Sequence, residues 1–371
     1  MADSFNSQRL RLARTRRQMT SQALAKAAGI SPVTLSRLEN KNNVPEPETL
    51  QALAKNLCYP ENFFFGDDID EVNKEDASFR SLKAMSAKER NSALSAASLA
   101  FMISDKIDEK FGLPEADIPN LSYEDDPKAA AATLRAHWAL ADKPIGNMID
   151  LLEAKGVRVY SLTEQTVRVD AFSCWRSGVP YVFLNTLKSS EHSRFDAAHE
   201  LGHLCMHQHG GSSHRSAEPE ANSFAGNFLM PPSDILNRIG SIHSLLQIQK
   251  HKKRWGVSLA ALTYQLSKMG VISEWQARSF FIQMSKDGTR KTEPDPMPFE
   301  TSHIWQTVFR ELWKDRITKA QIAKELHIPE DEFENLVFGL AVQAFSPLAQ
   351  IRNEKNIGLS LAVDNENNAL C

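Results

Sequence analysis

Arg194-Phe195-Asp196-Ala197-Ala198-His199-Glu200-Leu201-Gly202-His203 is the stretch on which the fold turns. His199 and His203 stand four residues apart with Glu200 between them. On a helix of 3.6 residues per turn this spacing puts both imidazoles on one face, where they can share a metal ion, and the intervening carboxylate can take a proton from an attacking water. The spacing predicts a helix over about Ser190 to His207, and Gly202 lets another element come close. Short patterns of this kind arise by chance, so context decides. Here β-rich runs precede the helix at Val157 to Leu162, Val167 to Trp175 and Tyr181 to Leu184, with Arg176-Ser177-Gly178 as a hairpin turn.

A zinc hydrolase needs a third protein ligand, and His207, His209, His214, Glu218 and Glu220 are the candidates downstream. A longer pattern with a third histidine would select His209, but Met206 stands where the chain needs glycine to turn away. Another helix is expected from about Ala217 to Met230, ended by Pro231 and Pro232, with Ser216 as its cap and Pro219 in its first turn. On that helix Ala221, Phe224, Ala225, Phe228 and Leu229 form the buried stripe, while Glu218 and Asn222 share another face. Glu218 can then bind the metal and Asn222 orient a ligand histidine, with Glu220 in reserve. His207 and His209 read as solvent-facing or as adventitious metal binders, Cys205 as a small buried residue, and Lys250 to Arg254 as a solvated helix face.

The N-terminal segment has a different pattern. Leu10, Leu24, Ile30, Leu35, Leu38, Leu50 and Leu53 recur at helical spacing. Thr20 can cap a helix Ser21 to Ala28, Gly29 can take the left-handed turn, and Ser31 can cap a following helix running to about Asn40. This is a helix, a glycine turn and a helix that exposes Pro32, Val33, Ser36 and Arg37. Residues 1 to 66 carry nine basic and five acidic residues, a net of +4, in a chain whose net charge is -3. Only this segment has the sign of a phosphate-binding surface. Residues Ile317 to Gly339 also read as helix, turn, helix, but the would-be recognition helix there carries Glu330, Asp331, Glu332 and Glu334. Phosphates would repel that face, so it reads as a packing or protein-contact element.

The 371 residues, 42% hydrophobic and 24% charged, exclude a largely disordered chain and leave room for several cores. The longest apolar runs are too short to span a bilayer. Four scattered cysteines without CxxC spacing fit a reducing compartment, so the chain is expected in the cytoplasm and off the membrane. The expected organisation is a helix-turn-helix domain at 5–66, an acidic linker and helical connector at 67–118, an α+β domain at 119–290, and a helical C-terminal region at 291–371 whose end from Arg352 is loosely ordered.

Two resemblances add to this reading. Through Leu24-Ala25, Gly29-Ile30-Ser31 and Leu35-Ser36-Arg37-Leu38-Glu39-Asn40, the N-terminal segment resembles the Cro/CI-type (XRE-family) helix-turn-helix proteins. The DNA-contact candidates are Ser21, where members carry a backbone-anchoring Gln, then Gln22, Val33, Ser36, Arg37, Asn40 and Lys41. Arg37 is assigned to a guanine edge and Val33 to a thymine methyl. Through Arg194 to His203, Glu218-Pro219-Glu220-Ala221-Asn222-Ser223-Phe224-Ala225 and Leu229-Met230-Pro231, the later segment resembles the ImmA/IrrE family of zinc metallopeptidases. That resemblance implies a zincin-like fold with a gluzincin-type site. It implies one Zn²⁺ per chain on His199, His203 and Glu218, Glu200 as general base, and limited proteolysis of a repressor-type protein. The expected partners are thus a double-stranded DNA operator, a protein substrate and another copy of the chain. The alternative is a transcription factor whose zinc domain is non-catalytic and serves sensing or dimerisation.

Overall fold

Side-chain caps set where the first helices begin. Thr20 Oγ1 accepts from the Ala23 amide at 3.1 Å and Ser31 Oγ from the Thr34 amide at 3.0 Å, while Gly29 turns the chain at φ +68°. The computed structural model describes residues 4–40, 43–72, 86–162, 171–207 and 216–341. In chain order these form α1 (Ser7–Arg16), α2 (Ser21–Ala27), α3 (Pro32–Glu39), α4 (Pro47–Leu57), a 3-10 turn (Glu61–Phe65) and α5 (Ala87–Asp108). Next come α6 (Pro127–His137), α7 (Met148–Ala154), β1 (Arg158–Leu162), β2 (Ala171–Arg176), β3 (Val179–Asn185), α8 (Ser190–Met206) and α9 (Ala217–Leu229). The remainder is helical: α10 (Pro232–Arg238), α11 (Leu245–Lys252), α12 (Leu259–Lys268), α13 (Glu274–Lys286), α14 (His303–Lys314), α15 (Lys319–Glu325) and α16 (Glu330–Ala341). No helix of the described residues is long and apolar enough to cross a membrane.

The chain divides into two compact units, one of residues 4–72, 86–112 and 305–341, the other of 113–304. They cut across the four consecutive segments read from the sequence, because the C-terminal helices return to the first. In that first unit Leu10, Leu24, Leu35, Leu38, Leu53 and Phe63 are buried together. Arg14 joins α1 to α3 through both nitrogens on Glu39, with Nη2 to Oε2 at 3.0 Å, and donates to the Met19 carbonyl at 3.0 Å. Within the expected acidic linker, the described residues 67–72 are tied down. Gln8 exchanges hydrogen bonds with the backbone of Ile69 at 2.8 and 2.9 Å, and Arg9 Nε donates to the Asp67 carbonyl at 2.7 Å.

The acidic helix α16 is held by the end of α1. Glu332, 1% exposed, accepts from Arg16 Nε at 2.7 Å, and Arg17 donates to Asp331 at 2.8 Å while lying over the Tyr59 ring. The acidic helix is therefore a packing element, as its charge implied. Removing one member of a buried pair strands the other, so Glu332→Ala should destabilise this unit by about 3–5 kcal/mol. A denaturant midpoint unchanged from wild type would contradict that role.

In the other unit the strands lie in the order β1-β3-β2, with β1 parallel and β2 antiparallel to β3. The expected hairpin is present, with Ser177 and Gly178 both at positive φ, as a two-residue turn matched to strand twist requires. Residues 167–170, the start of the expected middle run, lie outside the described residues. Phe172 stacks on Phe183 at 4.5 Å and Tyr160 on Phe183 at 5.9 Å, forming one apolar face. Lys250 to Arg254 departs from the solvated face expected of it. Lys252 is buried between Glu191 at 3.2 Å and Glu293 at 3.1 Å, and Arg254 binds Asp234 through two nitrogens.

Glu153 on α7 fastens the segment leading into α14, accepting from the Ser302 hydroxyl and from the Ile304 amide at 3.1 Å. Burial pushes its carboxyl up to about 7, against the opposing pull of those hydrogen bonds. A carboxyl whose folded pKa is raised gives stability that is complete below its unfolded pKa and is lost as pH climbs through the folded value. Glu153→Gln, whose amide can still accept from Ile304 and donate to Ser302, should flatten the stability change of the wild type between about pH 4.5 and 7. Identical pH profiles of the melting temperature for the two proteins would refute the assignment.

Candidate metal centre and nucleic-acid interface

Helix α8 starts where Ser189 Oγ accepts from the His192 amide at 3.3 Å, and it buries Ala197, Ala198, Leu201, Leu204 and Cys205. It meets α9 at Gly202. A Cβ there would lie 2.9 Å from Cδ1 of the fully buried Phe224, so only glycine admits this approach. The close crossing brings Glu218 and Asn222, one turn apart on α9, up to the histidine face of α8. Ser216 occupies the cap position of α9, although its side chain makes no capping bond, and Glu218 and Pro219 fall in the first turn.

His199 Nε2 lies 3.0 Å from His203 Nε2, and Glu218 places its oxygens 3.4 Å from the former and 3.6 Å from the latter. A tetrahedral zinc site with bonds of about 2.0–2.1 Å separates its ligand atoms by roughly 3.3 Å, so this donor set fits the ion. Among the described residues no fourth histidine, cysteine or carboxylate joins the group. Burial works against the charge of Glu218, but hydrogen bonds with His199 and His203 outweigh it and hold the carboxyl well below the usual range.

A further layer of bonds fixes the rings. His199 Nδ1 is 3.1 Å from Asn222 Oδ1, the contact expected from the sequence. His203 Nδ1 is 3.0 Å from His207 Nδ1, and His207 Nε2 is 3.0 Å from Glu220 Oε2. One proton arrangement serves all three contacts: Nδ1–H of His199 donates to Asn222, Nδ1–H of His203 to His207, and Nε2–H of His207 to Glu220. It leaves Nε2 of both His199 and His203 as bare lone pairs. His207 is accordingly not solvent-facing, its side chain being 8% exposed, and Glu220 stands outside the three-residue group and holds His207 instead. His209 and His214 lie outside the described residues.

Glu200 is buried beside this face, and the Ser173 hydroxyl donates to its Oε2 at 2.7 Å. Ser173 is the site residue that sequence reasoning missed, and His207, a candidate ligand in the sequence, stands behind a ligand ring instead. A lone serine in a strand carries no signal, whereas His207, four residues beyond His203, continues the same helix face, and its place could have been found by spacing.

In the first unit Gln22, Val33, Ser36, Arg37 and Asn40 are exposed and Ser21 is half-buried, while Lys41 lies outside the described residues. Arg37 has no ion-pair partner among the described residues, and Val33 is 61% exposed. Asn40 Nδ2 donates to the Ser36 carbonyl at 2.7 Å and lies 3.2 Å from its hydroxyl, which ties those two side chains to the end of α3.

Residues 10–63 match the family model described as helix-turn-helix, and residues 152–267 match the peptidase M78 model described as the IrrE N-terminal-like domain. No curated protein matches the chain. The two matches fall on the two segments whose resemblances the sequence carried, in the same order. The chain therefore joins a helix-turn-helix DNA-binding domain, at residues 10–63, to an IrrE-like, peptidase-like domain at residues 152–267.

Proposed function

We propose that this chain is a cytoplasmic transcriptional regulator whose IrrE-like domain is a zinc-dependent endopeptidase, acting on a repressor-type regulatory protein or on the chain itself. The observation that carries the reading is the three-donor group of His199, His203 and Glu218, with Glu200 buried alongside and held by Ser173. His199 and His203 hold one Zn²⁺ through Nε2 and Glu218 holds it through its carboxylate. Zinc bound there supplies the Lewis acidity that makes water nucleophilic near neutral pH. Glu200 takes the proton of the attacking water at its carboxylate and passes it to the leaving nitrogen, while Ser173 keeps that carboxylate from rotating away. Asn222 and His207 hold the imidazoles in the ligating tautomer. A non-catalytic zinc site for sensing or dimerisation is the alternative reading. Glu200 speaks against it, since a structural site has no use for a buried carboxylate that is not a ligand.

At the other end, α3 enters the major groove of an operator, with Arg37 on a guanine edge and Val33 on a thymine methyl. Ser21, Gln22, Ser36, Asn40 and Lys41 contact the backbone or neighbouring bases. A two-fold dimer on paired half-sites follows from that mode of binding.

Three sets of measurements test the reading. Arg37→Ala should weaken specific operator binding by about 1–3 kcal/mol and relax one base preference in a gel-shift series; unchanged affinity and preference would remove α3 from the groove. For the enzyme, zinc-loaded protein incubated with a neighbouring regulator should yield a discrete cleavage product. Glu200→Gln should abolish that product while zinc content stays at one per chain, and His199→Ala, His203→Ala and Glu218→Ala should lose zinc and activity together. Zinc retained in all three ligand variants would sink the site. Because they act through the ligand rings, Asn222→Ala and His207→Ala should each lower zinc affinity by about 10- to 100-fold, with Glu220→Ala following His207→Ala. Wild-type zinc affinity in His207→Ala would show that the relay orients nothing.

A further inference from the structure

Helices α12 and α13 line an open surface groove of about 670 Å³ that the metal centre does not use. Most of its lining lies beyond residue 267, where the IrrE-like match ends. Its volume falls within the roughly 300–1,000 Å³ of small-ligand sites. The lining has two characters. Ala277, Phe281 and Ile282 on α13, with Tyr264 on α12, give an apolar and aromatic surface. Lys268, Arg278, Lys286 and Arg290 surround it with positive charge, against a single acidic lining residue, Glu274.

These cations are arranged rather than scattered. Lys268 Nζ sits 5.5 Å from the centre of the Tyr264 ring, and the Arg290 guanidinium 5.6 Å from that of Phe281, so two of the four are steadied against aromatic faces of the groove. None of the four has a carboxylate within ion-pair distance among the described residues, Glu274 included. Elsewhere in the same unit Lys155, Lys252, Lys253 and Arg254 are all paired. Like charges gathered around one concavity repel each other, and a bound anion relieves that repulsion.

We propose that this groove binds a small amphipathic anion: a carboxylate, sulfonate or phosphate head met by the four cations, on an aliphatic or flat aromatic body that covers Phe281, Ile282 and Tyr264. A nucleic-acid backbone would use the cations but leave the apolar floor unused, which favours the small ligand over an additional DNA surface. The site needs no metal and stands independently of the peptidase reading.

The test uses the full chain and the fluorescent anion 8-anilinonaphthalene-1-sulfonate. A single saturable site is expected, with affinity that falls as salt rises. The double variant R278E/K286E should bind the probe at least tenfold more weakly. K143E, a charge reversal at an exposed lysine outside the groove, should bind as wild type does, and circular dichroism should be the same for all three. Displacement of the probe by dodecanoate would show that the body is aliphatic, and displacement by adenosine monophosphate that it is flat. Equal probe affinity in R278E/K286E and K143E, displacement by neither compound, or displacement by a DNA duplex that fails with R278E/K286E would each overturn the proposal.

Discussion

The close crossing of α8 and α9 at Gly202 is the constraint on which the candidate metal centre depends. His199 and His203 would share a face on any helix, but a metal needs a third donor, and Glu218 belongs to another element. With any larger residue in place of Gly202, a Cβ would press on the buried ring of Phe224 and move α9, and Glu218 and Asn222 with it. Packing at one glycine thus fixes the distances among three donor atoms and the ring orientation of His199. Preorganisation of this kind lets ligands that repel or desolvate one another remain together before any ion arrives.

Charge plays a comparable part in the first unit, but through largely buried pairs. Arg14 and Glu39 lock α1 against α3, which bears the exposed Val33 and Arg37, and Arg16 with Glu332 locks α1 against α16. Buried ion pairs give little net stability compared with apolar replacements, yet they penalise every arrangement that leaves one partner alone. Here they choose a single docking for helices more than 300 residues apart in the chain. The DNA-binding unit consequently includes the C-terminal helices.

How much of this was legible in the sequence follows from the range of each interaction. Thr20, Gly29 and Ser31 act within one turn of the backbone, so the start and stop of α2 and α3 could be read directly. The periodicities of α8 and α9 are equally local, and they placed His199, His203, Glu218 and Asn222 on the right faces. What escaped depends on contacts with no local trace. Lys252 looked like part of a solvated basic run because its partners, Glu191 and Glu293, lie 61 and 41 residues away. The segment after Gly66 looked like a linker because its acidity is visible in the sequence, whereas its bonds to Gln8 and Arg9 are not. His207 was legible by spacing, but a histidine near a helix end is more often exposed than buried, and only Glu220 on the next helix explains its position.

The central claim is that the IrrE-like domain holds its ion with two imidazoles and one carboxylate. X-ray absorption at the zinc edge, on protein loaded with one equivalent of zinc, tests this most directly. The account predicts only nitrogen and oxygen scatterers at about 2.0–2.1 Å, with the multiple-scattering signature of two imidazoles. A sulfur shell near 2.3 Å, or the signature of three or more imidazoles, would contradict it.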